Sequence, residues 1–72
     1  MSRPAKRSLT LHGHRTSVTL EDPFWKAFRE IADVQDKPIN QLAAEIDANR
    51  DPENEGLASA IRVFVLKYYQ QK

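Results

Sequence analysis

Three side chains at alternate positions, Arg15, Ser17 and Thr19, place a guanidinium and two hydroxyls on one side of an extended segment. All three donate hydrogen bonds and both hydroxyls also accept, so the set suits recognition of a polar surface. Two histidines, His12 and His14, flank Gly13 and would point the same way on a strand, which raises metal binding. No third ligand stands near them, so they read as polar residues beside the strand, able to approach phosphates when protonated, and no metal is expected. Catalysis finds little footing. The chain has no cysteine, no glycine-rich phosphate loop and no serine in a nucleophile turn, and 72 residues leave scant room to enclose a carboxylate pair. We expect no enzymatic activity and no cofactor.

The elements that must position these residues are legible from periodicity. Ser8 to Leu20 alternates with period two and is rich in Thr, Val and Leu, as extended segments are. Its apolar phase changes partway: Leu9 and Leu11 are odd, Val18 and Leu20 even, and a shift of one residue swaps faces. A bulge, turn or break is expected near Gly13, with Arg15 to Leu20 as the strand proper. Whether Leu9 and Leu11 cover another surface or pair separately stays open. Asp22 reads as an N-cap and Pro23 as the first residue of a helix over 23–34. Phe24, Phe28, Ile31 and Ala32 form its apolar stripe, widened by Trp25 and Ala27, and Trp25 reads as core rather than as a base-stacking platform. "QDKPIN" interrupts, because a residue before proline leaves the α region. A second helix is expected over 38–49, with Ile39, Leu42, Ala43 and Ile46 inward. After the loop "RDPENEG", a third runs over 57–70 on Leu57, Ala60, Ile61, Phe64, Val65 and Tyr68. Val63 and Leu66 fall off that stripe, so this helix is expected to touch both its own core and a second subunit.

Residues 1–20 carry four bases, Arg3, Lys6, Arg7 and Arg15, and no acid, whereas residues 21–72 carry seven bases and ten acids. The positive charge therefore gathers at the strand end, as in an arm that faces a polyanion. The start lacks the apolar core of a secretion signal and no run is long enough to span a membrane, so a cytoplasmic, nucleoid-associated protein without membrane contact is expected. The organisation expected is a basic N-terminal arm (1–13), a core (14–49), a loop (50–56) and a C-terminal helix (57–72), giving an α+β, mostly α, fold.

A chain this short buries only about 60% of its unfolded surface, and one strand leaves both backbone edges unpaired. Nothing after Pro23 reads as a comparable strand, so the expected partner is the same strand of a second chain, antiparallel about a two-fold axis. Val18, Leu20, Phe24, Trp25, Phe28, Ile31, Leu42, Ile46 and Phe64 would then line a dimer core. The ribbon's outer face would show Arg15, Ser17 and Thr19 twice, and a two-stranded ribbon fits the DNA major groove.

"HRTSVTLEDPFWKAFREIADVQDKPINQLAAEI" resembles the ribbon-helix-helix family of DNA-binding proteins, the class of the Met and Arc repressors. The resemblance covers residues 14–47 and is followed by a C-terminal helix like that of a bacterial subgroup. It implies an intertwined homodimer that puts the ribbon in the major groove, with base reading carried over to Arg15, Ser17 and Thr19. It also implies a phosphate clamp at the start of the second helix, here Lys37, Pro38, Ile39, Asn40 and Gln41. Pro38 stands where such proteins often have a capping Ser or Thr, which removes one amide and one hydroxyl from the clamp. "RDPENEG" splits what is often one long second helix.

The function expected is that of a sequence-specific transcriptional regulator, a repressor, acting as a homodimer on double-stranded DNA. Arg3, Lys6, Arg7, Lys37, Ile39 and Asn40 would contact phosphates. The alternatives are an antitoxin that neutralises a protein partner, though little chain follows the last helix to serve as its tail, and an oligomerisation module in which the third helix builds a higher oligomer.

Overall fold

Antiparallel pairing across a two-residue turn places odd positions opposite even ones, and this resolves the phase change at Gly13. The computed structural model of the chain describes residues 3–53 and 55–71. Met1 and Ser2 of the expected arm, Asn54 of the expected loop and Lys72 of the expected C-terminal segment lie outside them. Strand β1 (Ala5–Leu11) pairs antiparallel with strand β2 (His14–Leu20), in a register running from Ala5 opposite Leu20 to Leu11 opposite His14. The turn residues His12 and Gly13 both have positive φ, 53° and 80°. Two left-handed residues in succession are the signature of a type I′ hairpin, whose twist matches that of the flanking strands. Leu9, Leu11, Val18 and Leu20 therefore share one face and are all buried.

This answers the question left open for Leu9 and Leu11, and it corrects two expectations. Residues 5–11 are a strand, not an arm. The partner of β2 lies in the same chain, so the two-stranded ribbon closes without a second copy.

Three helices follow: α1 (Asp22–Val34), α2 (Ile39–Asn49) and α3 (Leu57–Gln70). The N-cap of α1 is Glu21, one residue earlier than expected, and no side chain caps it. Asp22, the expected cap, is turned instead to an ion pair with Arg7. Helix α1 ends as Asp36 enters the left-handed region (φ 55°) and the Lys37 N–H donates to the Ala32 carbonyl at 2.9 Å, the closure that reverses a chain after a helix. Arg50 fastens the next connection, pairing with Asp47 at 2.7 Å and donating to the Glu55 carbonyl at 2.7 Å.

The helices form one layer beneath the ribbon, with β1 over α2, β2 over α3, and α1 against both other helices. Leu20, Phe28, Ile31, Leu42 and Ile61 are wholly buried between the layers. Of the residues expected to line a core between two chains, Val18, Leu20, Phe28, Ile31, Leu42 and Ile46 are buried within this single chain, and Phe24, Trp25 and Phe64 pack half-buried against them. The hydrophobic driving force thus assembles the ribbon and its helices as one unit.

Two arginines fix the corner where β2 runs into α1. Arg7 reaches inward from β1, donates to the Leu20 carbonyl at 3.3 Å, pairs with Asp22 and lies 5.6 Å from the Trp25 ring centroid. Arg62 reaches across from α3 to the Glu21 carboxylate at 2.9 Å and the Thr19 carbonyl at 3.1 Å, and lies 5.9 Å from the Phe24 ring centroid. A hydrogen bond from its own backbone N–H, and then the Arg62 guanidinium, hold the Glu21 carboxyl below the usual glutamate range.

Two outcomes are expected from this geometry. Nothing lies within 4 Å of a Cβ built on Gly13, so Gly13→Ala meets only backbone strain. It should cost about 1 kcal/mol in urea denaturation, whereas His12→Asn, which supplies the favoured Asn-Gly turn, should raise the midpoint. Because folding depresses the Glu21 pKa, the stability it contributes is present above the ordinary glutamate range and lost as pH falls through the depressed value. Glu21→Gln should therefore melt below the wild type at pH 7, and the difference should close as pH drops below about 4 in thermal melts.

Candidate nucleic-acid interface

With its apolar face committed to the helices, the ribbon turns its other face to solvent. Lys6, Ser8 and Thr10 of β1 stand there directly opposite Thr19, Ser17 and Arg15 of β2, and all six are exposed. Neighbouring strands lie about 4.8 Å apart and same-face residues about 6.7 Å apart along a strand, so the six side chains form a compact comb. Two cations and four hydroxyls give it donors and acceptors with no acid among them. The expected readers Arg15, Ser17 and Thr19 thus lie in one row, and the structure adds a second row from β1. Ser8 and Thr10 were missed because residues 1–13 read as an arm. Their signal was present as the alternation of Lys6, Ser8 and Thr10, which has the period of a strand.

The residues expected at phosphates separate into three groups. Arg3, exposed, precedes β1, and Lys6 stands on the outward face. Arg7 points the opposite way, into the corner with Asp22 and Leu20, so its guanidinium holds the fold and faces away from the comb. Lys37, Ile39 and Asn40 stand at the start of α2. The Asn40 Oδ1 accepts a hydrogen bond from the Thr10 N–H at 3.0 Å, which ties that helix end to the outer edge of β1 and occupies a backbone group a sheet edge would leave open. The helix end has Pro38 at its cap position, no capping side chain and no acid in its first turn. The first amides of α2 and their partial positive charge are thereby held beside the ribbon. Lys37 itself pairs with Glu45 at 2.8 Å, and that bond, followed by one from Gln41, holds the Glu45 carboxyl below the usual range.

His12 lies at the tip of the hairpin and His14 at the first position of β2. Among the described residues no group of three or more His, Cys, Asp or Glu is placed to hold a metal ion. No helix among them is long and apolar enough to cross a membrane.

The model of the ribbon-helix-helix domain matches residues 4–69 of this chain of two paired strands and three helices. No curated protein and no solved structure matches the chain at a significant level. The match runs from just before β1 to the last turn of α3, so both the hairpin and the third helix lie within it. The chain belongs to the ribbon-helix-helix domain family, a family of DNA-binding, non-enzymatic modules.

Proposed function

We propose that the chain is a sequence-specific DNA-binding transcriptional regulator, a repressor, whose ribbon enters the major groove of double-stranded DNA. The observation that carries this reading is the exposed comb: six polar side chains, Lys6 and Arg15 among them, on the face opposite the apolar core. A major groove about 12 Å wide admits a two-stranded ribbon, and there Arg reaches guanine O6 and N7 while Ser and Thr meet several base edges. Arg15, Ser17 and Thr19 read bases. Arg3, Lys37 and the Ile39 and Asn40 amides contact phosphates, with Lys6 adding charge from the ribbon itself. Arg7 takes no part, because its guanidinium is turned into the corner with Leu20 and Asp22, away from the comb.

A second observation favours association between chains. Val63, Leu66 and Tyr69 on α3 are 40%, 55% and 43% exposed, a large apolar contribution from one helix surface. We propose that this surface joins two chains as a homodimer, so that a pair of ribbons is presented together. The competing use of the same surface is capture of a different protein, as an antitoxin captures its toxin.

Arg15→Ala should cost on the order of 1 to 3 kcal/mol at one base position and relax preference there, measured by binding to a panel of single-base variants of a selected site. Equal binding of both proteins to every variant removes Arg15 as a reader. For the association, sedimentation should find the wild type dimeric at tens of micromolar and Leu66→Glu monomeric. A wild-type monomer at that concentration rules the α3 homodimer out, and a stoichiometric second protein lost from Leu66→Glu would identify the antitoxin use.

A further inference from the structure

The two strands of the hairpin are copies of one pattern. β1 carries "KRSLTL" over residues 6–11 and β2 carries "RTSVTL" over residues 15–20: cation, any residue, serine, aliphatic, threonine, leucine, nine positions apart. The register turns this repeat into symmetry. Ser8 stands opposite Ser17, Lys6 opposite Thr19 and Thr10 opposite Arg15. A two-fold rotation through the Ser8–Ser17 pair carries Lys6 onto Arg15, Ser8 onto Ser17 and Thr10 onto Thr19; it maps that central rung onto itself and exchanges the other rungs in pairs. Each outer rung holds one cation and one threonine, placed diagonally about the centre.

On the inner face, packing explains the likeness. Leu9 and Val18 are symmetry mates, as are Leu11 and Leu20, and all four are buried. There the symmetry also fails where the surroundings differ, since Arg7 is clamped to Asp22 while its mate Thr16 is exposed. The outer face is held by no such demand. Its six side chains are exposed, and none of their side-chain atoms enters a hydrogen bond or ion pair found among the described residues, yet cation, serine and threonine recur there in order. A symmetric row of donors that the fold itself does not use matches a symmetric ligand, and the DNA duplex is symmetric about a dyad in just this way: its two strands run antiparallel and present their base edges along a common groove.

We propose that the hairpin of one chain reads a short quasi-palindromic DNA element by itself, with Lys6, Ser8 and Thr10 reading bases as the dyad mates of Arg15, Ser17 and Thr19. This rests on the DNA-binding reading above and deepens it. A single chain supplies both halves of the recognition unit, and the element departs from a true palindrome at the two outer positions, where lysine faces one half and arginine the other. Arginine contacts guanine O6 and N7 through a planar fork and lysine through a single point charge, so the Arg15 half is the more strictly read.

Selection of bound sites from random duplex DNA by the full chain tests this, using wild type, Lys6→Ala, Arg15→Ala and Lys6→Arg. The wild type should select a quasi-palindrome. Arg15→Ala should lose on the order of tenfold discrimination at one outer position, and Lys6→Ala should lose several-fold at the dyad-related position on the other strand. Lys6→Arg should make the two outer positions alike. A ribbon built instead from the β2 strands of two chains would lose both outer positions on Arg15→Ala and neither on Lys6→Ala. That result, or a Lys6→Ala protein weakened equally on all sequences, overturns the one-chain ribbon while leaving DNA binding in place. A wild type that binds no duplex, or all duplexes alike, overturns the regulator reading itself. All the substituted side chains are exposed, and circular dichroism of each variant should match the wild type.

Discussion

The pairing of β1 with β2 across His12 and Gly13 is the constraint on which the remaining structure depends. It fixes which residues face inward, because a one-residue slip would move Leu9, Leu11, Val18 and Leu20 to solvent and bring Lys6, Ser8, Arg15 and Ser17 onto the helices. It also satisfies backbone groups that a solitary strand would leave open along one edge. The turn is short and needs positive φ at both central residues, so it admits one register and no other at little cost. The hydrophobic face thus defined seats three helices, and the core gathers residues of both strands and all three helices.

Electrostatics then divides the basic residues into two kinds. Arg7 and Arg62 are turned inward to the β2–α1 corner, where Glu21 and Asp22 answer them and aromatic rings lie beside both guanidinium groups. Their charge is locally neutralised, and what they contribute is the fixed angle between ribbon and first helix. Among the described residues Lys6 and Arg15 pair with no acid, and both stand on the exposed face. Asn40 performs a similar positioning task at the opposite edge, where one side-chain carbonyl binds the start of α2 to Thr10. A helix N-terminus and a row of donors are thereby set on a common frame.

The third helix adds a different property. Its buried side, Ala60, Ile61 and Val65, completes the core, while Arg62 secures the corner and Val63, Leu66 and Tyr69 extend apolar surface outward. One element therefore links the stability of the ribbon to an exposed apolar surface. Association there would leave the comb uncovered, because α3 lies on the helical side of the ribbon.

Much of this was legible from residue order. The three helices, their inward residues and the breaks at "QDKPIN" and "RDPENEG" follow from periodicities that local geometry imposes on any amphipathic chain. So does the polar row Arg15, Ser17 and Thr19, since alternation along a strand is a local property. The partner of β2 was not legible in the same way, because pairing is a relation between distant positions and the same alternation serves a strand paired in cis or in trans. Only the tertiary structure turned Lys6, Ser8 and Thr10 into neighbours of Thr19, Ser17 and Arg15, sent Arg7 inward and brought Arg62 to Glu21 across forty-one positions of sequence. Sequence determines what each residue can do locally, and three-dimensional closure determines which residues do it together.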